Sequence, residues 1–143
     1  KPGSDFDLVT LLIGVNNQYR SYGQDQYKKE FSELLRQAIS FASGNQSKVI
    51  VVTIPDYGCT PFGAEMADKI YTDLVWYNET ATKIARNSGV EVVDIFAISR
   101  RAKTEPELIA SDNLHPSDEM YTLWADDILA VAERSLADGI PAE

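Results

Sequence analysis

Apolar and polar positions alternate between two rhythms along this chain. Leu8-Val9-Thr10-Leu11-Leu12-Ile13 is a short, nearly continuous apolar run closed by Gly14. Its length and the glycine predict a strand buried on both faces, as in a parallel sheet. A loop with Asn16, Asn17, Gln18 and Arg20 between Tyr19 and Tyr22 follows it. From Tyr27 the rhythm changes. Tyr27, Phe31, Leu34, Leu35, Ala38, Ile39 and Ala42 recur at helical spacing, with Asp25 placed to cap and Gly44 to stop the helix. The pattern then repeats. Val49 to Ile54 is a β-branched run ended by Pro55, and the loop Pro55 to Gly63 follows. A helix is expected from about Ala64 to Asn87, with Ile70, Leu74, Tyr77, Ala81, Ile84 and Ala85 inward. A third strand, Val90 to Ile95, leads into a long connection with one helical turn near Glu107–Ala110. The last helix starts near Pro116 or Ser117, buries Met120, Leu123, Trp124, Ile128, Val131 and Ala132, and stops at Gly139 and Pro141.

Strand–helix three times over is two βαβ units feeding one parallel sheet with right-handed crossovers. All the chemically unusual residues then follow C-terminal strand ends, where open α/β sheets bind their ligands. The residues 1–143 read as a single α/β domain. Trp76 and Trp124 are read as core. Arg100 and Arg101 are read as partners of surface carboxylates.

Composition narrows the partners. The formal charge of −9 argues against nucleic acid and anionic membranes. No apolar run reaches the length of a transmembrane segment, and no signal peptide is visible, although a secreted or periplasmic location remains compatible. The single cysteine, Cys59, excludes an internal disulfide and a cysteine-rich metal site. Asn45-Gln46-Ser47 and Asn78-Glu79-Thr80 fit the N-glycosylation pattern, which is common by chance. No glycine-rich phosphate loop follows any strand, so a nucleotide-binding reading is weak.

The only histidine lies in Ser111-Asp112-Asn113-Leu114-His115-Pro116. A carboxylate at i−3 across a tight turn can reach Nδ1, fix the tautomer, and leave Nε2 to take a proton from a nucleophile. In Gly14-Val15-Asn16-Asn17 the glycine allows a sharp turn, and an asparagine amide just after it can donate to the oxygen of a tetrahedral intermediate.

Together these two loops resemble one family. A buried strand running into Gly-x-Asn-Asp and a late Asp-x-x-His before the last helix look like the SGNH hydrolases, or GDSL esterases and lipases. The resemblance covers the whole chain in element order. It implies a three-layer α/β/α flavodoxin-like fold and acyl transfer from carboxylic esters of carbohydrates, lipids or small alcohols. A serine attacks, His115 carries the proton, Asp112 orients His115, and Gly14, Asn16 and Asn17 form the oxyanion and substrate-binding loop. No cofactor or metal is implied. Tyr19, Arg20 and Tyr57, with Thr60 and Phe62, are candidates for shaping the substrate cleft.

Two departures stand out. Asn17 replaces the family's aspartate. The family's Gly-Asp-Ser nucleophile block is absent, and Gly3-Ser4-Asp5 has other order and place, so Ser4 is read as linker. The chain therefore resembles the C-terminal part of such a domain, without its first two strands, its nucleophile and one oxyanion glycine. An exposed edge is expected on its first strand, covered by the missing segment or by a second copy. Cys59 as a substitute nucleophile is disfavoured, because the family places its nucleophile elsewhere in the sheet. The competing function is a non-catalytic binding or assembly domain that kept the fold.

Overall fold

In a computed structural model, Gly3 and residues 5–137 are described. Ser4, Gly139 and Pro141, to which the sequence assigned linker and stop roles, lie outside the described residues. Strands β1 (Val9–Leu11), β2 (Val49–Val52) and β3 (Glu91–Val93) form a parallel sheet in the order β1-β2-β3. Val9 pairs with Val49, and Val51 with Val92. The helices are α1 (Val15–Tyr19), α2 (Gln24–Phe41), α3 (Ala67–Asn87), α4 (Phe96–Ser99) and α5 (Asp118–Ala137).

Strand alternation sorts the core into two layers. Val49 and Val51 face α2 and α3, packing with Tyr27, Phe31, Leu35, Leu74 and Tyr77. Ile50 and Val52 face the opposite way, with Val93, Met120 and Trp124 of α5. This is the expected three-layer α/β/α sandwich. The inward residues of α2, α3 and α5 follow the helical spacing of the sequence, with Leu34, Ile39, Ile84, Leu123, Ile128 and Val131 half-buried.

Several boundaries differ, each for a physical reason. Only β2 is buried throughout; β1 is not buried on both faces as expected, because it has no neighbour on its outer edge among the described residues. Leu12 and Ile13 beyond it are 41% and 38% exposed. The strand β2 stops at Val52 because side chains take over its ladder. The Asn78 amide of α3 pairs with both the N–H and C=O of Ile54, and Thr53 Oγ1 accepts from Ile95 N–H. Asn78 is buried in this role, which closes that glycosylation triplet to modification, whereas Asn45 is exposed. Asp25 does not cap α2: Gly23 holds that position, and Asp25 lies in the first turn, 3.5 Å from Lys28. The long helix has a 3₁₀ turn at Ala64–Met66 before α3, and the 96–110 connection holds α4 and two 3₁₀ turns. The last helix starts at Asp118, later than expected, with Ser117 Oγ accepting from Met120 N–H.

Candidate active site

Three segments leave the C-terminal strand ends and meet above the sheet. The first is α1, where a loop was expected. Gly14 caps it at φ 124°, and a Cβ there would lie 2.7 Å from Tyr27 Cε2 and 2.8 Å from Ile54 Cδ1. Glycine is therefore required both by dihedral and by space. On the helix that follows, consecutive side chains diverge by about 100°. Asn16 lines the cleft, whereas the Asn17 amide donates to Glu30 of α2 at 2.7 Å and does not line it. Arg20, exposed at the end of α1, also stands outside the cleft lining.

The second segment is the 55–63 loop. Asp56, with a side chain only 1% exposed, anchors it. Its carboxylate accepts from Gly58 N–H at 2.9 Å and from Arg100 Nη1 at 2.6 Å, and its own N–H donates to Ser99 Oγ. Arg100 also stacks over Tyr71, 4.4 Å from the ring centre. Its partner is thus a buried carboxylate rather than a surface one; Arg101 does pair with surface Glu105.

The third segment, 108–117, is a small hairpin. Ile109 and Pro116 bridge antiparallel, and Ala110 N–H donates to His115 C=O. Asn113 takes the left-handed conformation at the tip, φ 64°, which asparagine tolerates better than most residues. Asp112 Oδ1 accepts from the N–H groups of Leu114 and His115, and Oδ2 meets His115 Nδ1 at 2.5 Å. The backbone bond from His115, then its ring and the Leu114 N–H, hold the Asp112 carboxyl down at about 2. A permanent carboxylate can only accept, so Nδ1 carries the proton and Nε2 is the basic nitrogen.

The three segments enclose a cleft of about 370 Å³, lined by Val15, Asn16, Tyr19, Pro55, Tyr57, Phe62, Leu114, His115 and Pro116. Tyr19, Tyr57 and Phe62 form one wall, with ring centres 6.2 to 6.5 Å apart. Thr60, also expected in the cleft, does not line it; its hydroxyl donates to Tyr57 C=O. Among the described residues that line this cleft there is a base but no serine, threonine or cysteine. Cys59 faces a different hollow, and burial, then the charge and hydrogen bond of Asp56, push its thiol up. Ser99 hydroxyl is committed to Phe96 C=O and Asp56 N–H. No group of three or more His, Cys, Asp or Glu among the described residues could hold a metal ion, and no described helix is long and apolar enough to cross a membrane.

Residues 1–123 match the family model described as GDSL-like lipase/acylhydrolase. The chain belongs to the GDSL-like lipase/acylhydrolase family. Its fold is shared by solved structures. Axe2, an acetylxylan esterase from Geobacillus stearothermophilus, superposes with a TM-score of 0.63 at 22% identity, covering 88% of this chain and 59% of Axe2. LAE5, an alpha/beta hydrolase enzyme from the metagenome of Lake Arreo, Spain, gives a TM-score of 0.64 at 21% identity, covering 91% of this chain and 61% of LAE5. The GDSL-like chain thus spans about three fifths of the length of these structures. A search of curated proteins gives no match.

Sequence reasoning missed two polar residues. Gln18 and Asp56 are buried and tie the segments together, yet their side-chain partners lie as far as 55 and 44 positions away. No local pattern carries that signal.

Proposed function

We propose that this chain carries the acid–base and oxyanion half of a serine esterase. The observation that supports it most is a single cleft lined by both Asn16 and a histidine that an ionised aspartate holds in one tautomer. His115 Nε2 takes the proton of an attacking serine hydroxyl as its oxygen bonds to the ester carbonyl. It returns that proton to the departing alcohol. Water, activated in the same way, then releases the acid. Asp112 stabilises the imidazolium formed in each half-reaction, and the Asn16 amide donates to the oxyanion.

The serine comes from outside these 143 residues, since no Gly-Asp-Ser occurs in them and no described serine or cysteine lines the cleft. The substrates are carboxylic esters of carbohydrates, lipids or small alcohols; the aromatic wall of Tyr19, Tyr57 and Phe62 suits the flat face of a sugar or an acyl chain. The open edge of β1 is covered by a further strand of the complete domain or by a second copy.

The test is hydrolysis of a short p-nitrophenyl ester by this chain and by the full-length gene product, each with a His115→Ala control. Turnover only by the full-length product, lost in His115→Ala, is the expected result. No turnover on any of a range of esters would favour a binding domain that kept the fold.

A further inference from the structure

We propose that Gln18 is the residue that positions Asn16 against the rest of the cleft. This rests on the esterase reading, and the test below separates the two. Helix α1 has only five residues, too few to hold itself in place. Asn16 and Gln18 sit two positions apart on it, and so point to nearly opposite sides. Asn16 is exposed in the cleft; Gln18 is 5% exposed and points into the protein. Its Oε1 accepts from the Tyr57 hydroxyl at 2.7 Å, and its Nε2 donates to Asp73 Oδ2 of α3 at 3.0 Å. Lys69 completes the array with an ion pair to Asp73 at 2.5 Å.

The direction of the amide follows from its partners. Burial would push the Asp73 carboxyl up, but hydrogen bonds from Lys69 and Gln18 outweigh it and hold it below its ordinary value. An ionised Asp73 only accepts, so the amide nitrogen faces it and the oxygen faces Tyr57. One side chain must donate on one side and accept on the other. Among residues of that length, glutamine does both.

The contact reaches across the site. Tyr57 is a wall of the cleft, and its loop continues to Phe62, whose N–H donates to Asn113 C=O of the hairpin that carries His115. Gln18 therefore closes a path from the oxyanion helix through the 55–63 loop to the histidine. It touches no substrate; it acts by setting where Asn16 stands.

The test uses three variants. Gln18→Met keeps the length and loses both bonds. Gln18→Glu sets two carboxylates against each other. Gln18→Glu with Asp73→Asn exchanges donor and acceptor between the two positions and restores both bonds of residue 18, with the Lys69 ammonium turning from residue 73 to the carboxylate at position 18. In the full-length product, kcat on a p-nitrophenyl ester should fall about tenfold in Gln18→Met, the scale of a sub-ångström misplacement, with KM changing less. It should return to within about twofold of wild type in the exchange variant, while Gln18→Glu alone stays low. The side-chain amide resonances of Asn16, read by ¹⁵N NMR in the full-length product, should shift in Gln18→Met and return in the exchange variant. An unchanged kcat in Gln18→Met, or an exchange variant that recovers thermal stability but not kcat, overturns the proposal. So do Asn16 resonances that do not move. If the wild type hydrolyses no ester, the esterase reading fails, and the NMR comparison still decides the positioning role.

Discussion

Replacing Gly14 by alanine should couple the core directly to helix α1. The added Cβ would stand 2.7 Å from Tyr27 Cε2 and 2.8 Å from Ile54 Cδ1, both distances that real methyl contacts do not tolerate. Both side chains are about 1% exposed, so neither has open space to move into. Overpacking of this kind costs about 1–3 kcal/mol. Holding a non-glycine residue at φ 124° adds about 1–3 kcal/mol. The sum, roughly 2–6 kcal/mol, is a large share of the stability of a small domain. Ile54→Val separates the two parts, because valine has no Cδ1. Alone it should cost about 0.5–1.5 kcal/mol. In the Gly14→Ala background its cost should shrink or reverse, giving a favourable coupling of about 1 kcal/mol. Urea denaturation of the four proteins reads each quantity. A Gly14→Ala variant within about 0.5 kcal/mol of wild type, or strictly additive effects, would refute the steric reasoning.

Three further outcomes follow from the geometry. Asp112→Asn in the full-length product should lower kcat by about 10³–10⁴, because the amide no longer selects the tautomer that leaves Nε2 basic; steady-state kinetics below the unfolding temperature of the variant would check it. The depressed folded-state carboxyl of Asp112 implies stabilisation that is present above about pH 4 and lost as pH falls toward 2, read by urea titration against Asp112→Asn. At the Asp56–Arg100 pair, Arg100→Met should destabilise by about 3 kcal/mol, more than Asp56→Asn, by thermal and urea unfolding. The reason is that Arg100 is 39% exposed and can turn to water, whereas Asp56 at 1% cannot.

What the sequence made legible was local. The unbroken β-branched run Val49–Val52 and helical spacing in α2, α3 and α5 report burial directly, so the three layers could be read from them. Asp112 and His115 are three residues apart, and their contact depends only on the turn between them. The rest depended on distant partners. Reading residues 15–19 as loop put Asn16 and the less central Asn17 on the same binding surface; as a helix they point apart, one to the cleft and one to Glu30. Gln18, Asp56 and Asn78 look like ordinary surface residues in sequence. They are buried because their partners come from other segments: Tyr57 and Asp73 for Gln18, Arg100 for Asp56, the Ile54 backbone for Asn78. The Val9–Leu11 strand was misjudged for the opposite reason. Its apolar run reports a two-sided environment that the described residues supply on one side only.

The central claim is that His115 activates a serine hydroxyl across this cleft. A fluorophosphonate probe, which bonds covalently to such a serine, measures that directly in the full-length product, with the modified peptide identified by mass spectrometry. One phosphonylated serine outside these 143 residues is expected, with labelling abolished in His115→Ala. No labelling, labelling that survives His115→Ala, or a labelled serine within the 143 residues would contradict it.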